Sequence, residues 1–539
     1  MTRILMAQIN TTFGDLRGNT NLILKALLSA RANRCSLVMT PELSISGYPP
    51  NDLLHFSDFI EANEKALNEI VLASANLTLV VGCIRKNTGE GKPLFNSAAI
   101  IRNQKIIGYY DKCLLPTYDV FDERRYFEPG GGSQTFEHEG IKIALTICED
   151  IWEEEIALYE FNPLDQLVSD HPDLLLNLSA SPFEAQKIPL RLALAQKVAL
   201  KLNCPVLYCN QVGGCDDLIF DGSSFACTSE GLLDQARSFQ EDFFVVDTKR
   251  LPTSKNSKEN SSKELYEALT VGIRDFFHKQ HFKKALVGLS GGIDSALVTT
   301  LAAHALGPEN VLAISMPSRF SSDSSIEDAF KLAQNLGIEI KKVPIESIHA
   351  PFLELLSPEF KGLPEDVTEE NLQSRIRGVI LMAFSNKLKH LVLSCGNKSE
   401  MAMGYATLYG DLAGGLGAIS DLTKSQVYEL SHWINREKEV IPTSILTKAP
   451  SAELKPNQKD SDTLPEYNLL DPIIEAYIEG HLSPEKIALK LKIEVDFARS
   501  IIQKIHRAEY KRRQAPLGLK VTSKAFSVGW NSPIVQKWA

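Results

Sequence analysis

Several features that would assign this chain to a class at once are missing from it. No apolar run is long enough to span a bilayer, so no membrane-embedded segment is expected. The opening stretch, Met1 to Gln8, enters a strand pattern directly and lacks the layered layout of a secretory leader. Basic residues are not in excess. The formal net charge is −10, which argues against a general nucleic-acid or membrane-surface binder. The nine cysteines are irregularly spaced with no Cys-x-x-Cys pair, so neither a disulfide framework nor a zinc site is expected. A reducing cytoplasm is the expected setting. No internal repeat is visible.

What is present is a globular composition, 44% hydrophobic and 23% charged, over 539 residues. That length exceeds one ordinary core, so two or more domains are expected. From 1 to 248, apolar β-rich runs alternate with helical spacing. The runs are Ile4–Ile9, Leu37–Leu43, Leu77–Cys83, Ser97–Ile101, Ile141–Ile147, Leu174–Leu178, Val206–Cys209 and Phe243–Val246. Helical spacing falls on 19–32, 57–75 and 186–202. This predicts a layered sheet-and-helix domain. Residues 249–262 are polar and rich in serine, asparagine and lysine, which reads as a linker. From 263 to 539 strands are expected near 285–289, 311–316, 339–345 and 390–395 with helices between them. That is the pattern of a doubly wound parallel sheet.

In the first half, Glu42, Lys112 and Cys148 stand at strand ends or in adjoining loops. A carboxylate, an amine and a thiol make a workable covalent catalyst. The thiolate attacks, a nearby ammonium lowers its pKa, and the carboxylate moves protons. The lysine also suits an oxyanion. Their flanks, Thr40-Pro41-Glu42, Tyr110-Asp111-Lys112 and Ile147-Cys148-Glu149-Asp150, resemble the catalytic triad of the nitrilase superfamily over roughly the first 250 residues. The resemblance implies an αββα sandwich with amidase activity. Glu42 would be the general base, Lys112 the oxyanion stabiliser and Cys148 the nucleophile. Glu123 matches a second glutamate near that triad; a surface ion pair with Arg124 or Arg125 is the alternative. In the glutaminase members the resemblance extends to Tyr118, Ser181 and Lys187 as glutamine contacts. A solvated first-turn lysine is the alternative at Lys187.

In the second half, the apolar run Ala285 to Leu289 leads through Ser290-Gly291-Gly292-Ile293-Asp294-Ser295 into helical spacing. Unpaired N–H groups and the helix dipole favour an anion at such a turn, and the glycines let the backbone approach it. The ending of a Walker A loop is missing. The motif resembles the pyrophosphate loop of the ATP pyrophosphatase superfamily, which implies an ATP site over Gly288, Leu289, Ser290, Gly291, Gly292, Ile293, Asp294 and Ser295.

Further motifs follow: Asn371 with Arg375 and Arg377, then Cys395-Gly396-Asn397-Lys398-Ser399-Glu400, Gly404 to Asp411, and Asp421-Leu422-Thr423-Lys424. Together they resemble the NAD synthetases. A nitrilase-type glutaminase joined to such a domain is the layout of the glutamine-dependent family. The resemblance implies glutamine, ATP and deamido-NAD as substrates and Mg²⁺ as metal. Asp294 and Glu400 would hold the metal as hard oxygen donors. Asn371, Glu400 and Lys511 would meet deamido-NAD. Cys395 stands where relatives place a threonine near ATP, so a backbone contact is the expected one. Lys424 has two readings, a phosphate contact or a solvated helix start. A basic helix is expected from Phe497 to Arg513, and its end is short for nucleic acid. The family also implies a homo-oligomer.

Overall fold

The computed structural model describes residues 3–152, 158–248 and 261–538. The chain divides into two compact units, 1–259 and 260–539.

The first unit holds two six-stranded sheets. One has the order β14-β1-β2-β3-β4-β5, from Asp242–Asp247 (β14), Arg3–Gln8 (β1), Leu37–Met39 (β2), Thr78–Lys86 (β3), Leu94–Arg102 (β4) and Lys105–Asp111 (β5). The other has the order β13-β12-β9-β8-β7-β6, from Gly231–Gln235 (β13), Phe225–Thr228 (β12), Val206–Asn210 (β9), Leu174–Ser179 (β8), Ile141–Ile147 (β7) and Thr135–His138 (β6). Val212–Cys215 (β10) and Leu218–Asp221 (β11) form a separate hairpin.

Ile4, Met6, Leu37, Met39 and Val80 of the first sheet share one core with Ile143, Leu145, Leu174, Leu176 and Leu207 of the second. The opposite faces carry helices. Ile23, Leu27, Leu67 and Ile70, from Leu16–Ala32 and Ser57–Ala73, pack on Leu5, Val38 and Leu79. Leu164, Leu167, Leu194 and Val198, from Pro163–Asp170 and Lys187–Leu202, pack on Ala144, Leu175 and Val206. Strands covered on both faces need apolar residues at every position, which is why their sequences read as runs rather than alternations. The result is the expected αββα sandwich.

The second unit is built on a five-stranded sheet, all parallel. Its order is β17-β16-β15-β18-β19, from Glu339–Lys342 (β17), Val311–Ser315 (β16), Ala285–Gly288 (β15), Leu391–Ser394 (β18) and Leu416–Gly417 (β19). The chain winds outward from β15 through β16 to β17, then returns to the other side of β15. The order therefore reverses between β15 and β18, and ligand crevices open beyond the strand ends at such a point. The helix Ile293–Leu306 is buried at Leu297, Val298 and Leu301 and follows the β15 turn. The helices Tyr467–Ile478 and Val495–Arg507 form a further apolar cluster with Ala402 and Met403.

Two expectations are corrected. The linker predicted over 249–262 lies outside the described residues up to 260, and Ser261 and Ser262 already belong to the helix Ser261–Lys279. A first helical turn tolerates serine because its N–H groups have no carbonyl partner anyway. The helix predicted from Phe497 to Arg513 is two pieces, Val495–Arg507 and Glu509–Arg512. The break falls at Ala508, and the Ile505 carbonyl just before it accepts from the buried Arg512 guanidinium, which also donates to the Met401 and Ala402 carbonyls.

Candidate functional site

In the first unit, Glu42 follows β2, Lys112 follows β5, Cys148 follows β7 and Ala180 follows β8. All four residues are buried. The Lys112 ammonium donates to Glu42 Oε1 at 2.7 Å and to Glu123 Oε1 at 2.6 Å. Asn96 Nδ2 donates to Glu42 Oε1 at 2.7 Å and to Glu123 Oε2 at 3.2 Å. The Ala180 amide donates to Glu42 Oε2 at 3.1 Å, and the Tyr48 hydroxyl to Glu123 Oε1 at 2.7 Å. Glu123 is thus a buried partner of Lys112, which removes the surface-pair alternative. Burial works to lower the Lys112 pKa, but the charges of Glu123 and Glu42 outweigh it and hold the amine protonated. Burial pushes Glu123 up, with Lys112 opposing.

Cys148 sits at φ +43°, a left-handed conformation unusual for a side chain with a Cβ. Burial pushes its thiol pKa up, the Glu42 charge adds to this, and Lys112 opposes both. The net shift is upward. This corrects the expectation of a lysine-lowered thiol: the group rests protonated and needs a base to attack.

Tyr118 donates to both Glu149 oxygens, at 3.1 and 3.0 Å, and the Tyr159 hydroxyl reaches Glu149 Oε1 at 3.0 Å. A buried carboxylate beside the thiol is therefore held by two phenols. Ser181 receives the Nε of fully buried Arg191 on its hydroxyl at 3.2 Å, and Arg191 also pairs with Asp221 at 2.8 Å. Lys187 opens its helix with Nζ 3.7 Å from Glu184 Oε2. The guanidinium on Ser181 belongs to Arg191, four residues beyond the predicted lysine.

In the second unit, a cavity of about 430 Å³ lies at the sheet's reversal point. The whole loop Gly288 to Ser295 lines it, together with Asn371, Cys395, Glu400, Lys424 and Lys511. Gly291 has φ +87°, and a Cβ there would meet the Ser325 carbonyl oxygen at 2.1 Å, so only glycine fits. Ser290 and Ser295 tie the loop to itself: Ser295 Oγ accepts from Ser290 N at 3.3 Å and donates to Gly292 O at 3.0 Å.

Asp294 and Glu400 converge on one cation, the Lys424 ammonium, at 2.5 and 3.5 Å. Lys424 is therefore a buried site residue and not a solvated helix start. Burial pulls its pKa down, but Asp294 and Glu400 more than restore it. Burial and the Asp294 charge push Glu400 up to about 8. Asn397 Nδ2 steadies Asp294 at 2.9 Å. Among the described residues no group of three His, Cys, Asp or Glu side chains is arranged around a metal position. Two hard carboxylates on one cation fit Mg²⁺ that takes its remaining oxygens from phosphate and water. The Asn371 amide oxygen accepts from the Thr407 hydroxyl at 2.6 Å, and Lys511 Nζ donates to the Gly404 and Ala406 carbonyls at 2.8 Å each. Burial keeps the Cys395 thiol protonated.

Comparison with known proteins bears on both units. Residues 3–248 match the carbon-nitrogen hydrolase family model and residues 265–515 the NAD synthase model. The glutamine-dependent NAD(+) synthetase of Synechocystis is 46% identical over 99% of each chain, and that of Thermotoga maritima 40% over 99% of each. The chain belongs to the glutamine-dependent NAD(+) synthetase family. A solved family structure, the Acinetobacter baumannii enzyme in complex with ADP, superposes with a TM-score of 0.78 at 36% identity, covering 100% of this chain and 99% of that one. The enzyme from Cytophaga hutchinsonii, 20% identical, shares the fold with a TM-score of 0.84 over 99% of this chain and 98% of that one.

Sequence reasoning did not single out Asn96, Tyr48, Glu149, Tyr159 or Asp150 in the first unit, nor Lys448 and Asp460 in the second. Asn96 left one trace, a polar amide inside the apolar run of β4.

Proposed function

We propose that the chain makes NAD from deamido-NAD, with glutamine as nitrogen donor and ATP as activator. Residues 1–248 act as the glutaminase and 263–539 as the synthetase. The observation that carries this reading is the buried Glu42–Lys112–Cys148 set on the same chain as the phosphate-loop crevice.

At the first site, glutamine enters with its α-ammonium toward Glu149 and its backbone groups toward Tyr118, Ser181 and Lys187. Glu42 takes the Cys148 proton as sulfur attacks the side-chain amide, which solves the problem of a thiol held protonated. The Lys112 ammonium, fixed by two carboxylates, stabilises the oxyanion. Glu42 returns that proton to the leaving nitrogen and ammonia departs. Water then activated by the regenerated Glu42 carboxylate releases glutamate and the Cys148 thiol from the thioester.

At the second site, the loop amides and serine hydroxyls cradle the ATP phosphates. Asp294 and Glu400 would hold Mg²⁺, which would supply neutralisation of phosphate charge. Lys424, Asn371 and Lys511 position nucleotide and dinucleotide, and Cys395 contributes its backbone. The deamido-NAD carboxylate attacks the α-phosphate, pyrophosphate departs, and ammonia displaces AMP. A bare carboxylate has a poor leaving group, and adenylation supplies a good one. Nine free cysteines accord with a cytoplasmic setting, and we infer a homo-oligomer from the family.

The test supplies ATP, Mg²⁺, deamido-NAD and glutamine labelled in its amide nitrogen. Labelled NAD with glutamate, AMP and pyrophosphate is expected. No NAD from either glutamine or an ammonium salt rejects the reading.

A further inference from the structure

The turn that presents the nucleophile and the strand end that presents the lysine come from distant parts of the first unit, yet one side chain holds both. Asp150 is fully buried. Its Oδ1 accepts the backbone amides of Cys113 at 3.0 Å and Leu114 at 2.8 Å, the two residues after Lys112. Its Oδ2 accepts the amide of Ile147 at 2.9 Å, the residue before Cys148, and the Tyr110 hydroxyl at 2.8 Å. The four donors satisfy both oxygens of this buried carboxylate, and three of the four are main-chain groups. The bonds straddle both catalytic residues: one side lies against Cys148, the other against Lys112.

We propose that Asp150 is a positioning residue of the glutaminase centre, fixing the Cys148 turn and the Lys112 strand end in mutual register. The proposal rests on the glutaminase reading above. Cys148 is held at φ +43°, so its turn needs an external restraint, and the Ile147 amide bond supplies one directly before it. Lys112 is itself bonded to Glu42 and Glu123, so a shift of its strand end moves the ammonium relative to the sulfur. Asp150 touches neither substrate nor reacting atom in this scheme; it acts through backbone.

Asp150→Asn tests this. An amide of equal size turns one acceptor oxygen into an NH₂ donor, so either the Cys113–Leu114 pair or the Ile147–Tyr110 pair faces a donor instead of an acceptor. The expected result is a fall of about tenfold or more in kcat for glutamate release with KM little changed, because attack geometry and not glutamine binding is affected. The rate of iodoacetamide alkylation of Cys148 at one fixed pH near neutrality, read by peptide mass spectrometry, is expected to fall. Lys112 favours the thiolate against Glu42, Glu149 and Glu123, so a displaced Lys112 leaves less of it. Ammonium-driven NAD formation stays at the wild-type rate, which shows that the synthetase unit is folded, and an unchanged KM for glutamine shows that the glutaminase site is formed. Wild-type kcat with an unchanged alkylation rate overturns the proposal, and so does a loss confined to KM. If the variant does not fold, Tyr110→Phe decides, since it removes one of the four donors and leaves no buried amide unpaired. A drop of about two- to fivefold in kcat at constant KM supports the proposal, and an unchanged kcat overturns it. Wild-type protein that fails to hydrolyse glutamine refutes the underlying reading instead.

Discussion

The Lys112 ammonium sits between two buried carboxylates, so its removal is expected to do more than stop chemistry. Lys112→Met leaves Glu42 and Glu123 facing each other without a cation, at a cost of about 3–5 kcal/mol. Thermal or urea denaturation reads this as a clear loss of stability, together with lost glutaminase activity. Glu400 offers a second test. Its folded pKa is raised to about 8, so its contribution to stability is present below the ordinary carboxylate range and is lost as pH rises through that value. Ligand-free protein is expected to melt lower at about pH 9 than at about pH 6, and Glu400→Gln to shrink that difference. Melting curves of both proteins across that range check it. At this scale the groups proposed as catalytic were legible, because Glu42, Lys112 and Cys148 each carry telling flanks. Their partners were not. Asn96 and Asp150 act through hydrogen bonds to segments tens of residues away, and no local pattern records such a bond. The upward shift of the Cys148 thiol was equally hidden, since it depends on how deeply three strand ends are packed.

Among the elements, the turn after β15 is the most constrained. Gly291→Ala places a methyl group 2.1 Å from the Ser325 carbonyl in a backbone conformation suited to glycine. The loop must move, and the expected outcome is loss of NAD formation from ammonium with glutamine hydrolysis retained. Destabilisation of about 1–3 kcal/mol is expected by melting. The long apolar runs of β1, β3, β7, β8 and β15 were readable because strands covered on both faces have no polar alternation to confuse with loops. The strands β5, β6, β10 to β13 and β19 were missed. Several of them belong to hairpins whose two-residue turns lack the usual signal. The β4–β5 turn places Asn103 and Gln104 at φ +50° and +57°, where the second position would ordinarily be glycine.

For the whole molecule, the division of labour is open to direct test. Cys148→Ala is expected to lose glutamine-driven synthesis and keep ammonium-driven synthesis, and Asp294→Ala to do the reverse at the adenylation step while still hydrolysing glutamine. A mixture of the two variants can then make NAD from glutamine only through ammonia released into solution, where near neutral pH most of it is protonated and unreactive. Synthesis by the mixture is expected to be slow and to stop when an ammonium-consuming enzyme is added. Wild-type synthesis from glutamine is expected to be unaffected by that addition. Equal sensitivity of both would mean that nitrogen passes through the bulk in the wild type as well.

The Lys424 contact with Asp294 and Glu400 has a bearing on how the crevice meets its cargo. The raised Glu400 pKa favours its protonated form, and the Lys424 ammonium offsets the charge of Asp294 beside it. A polyanionic visitor is then not turned away at the door by resident carboxylates. A divalent ion held by Asp294 and Glu400 would take the place of the amine and of the Glu400 proton, and Lys424 would then be free to meet the visitor's own negative charge. The crevice thus holds its counter-charge in reserve.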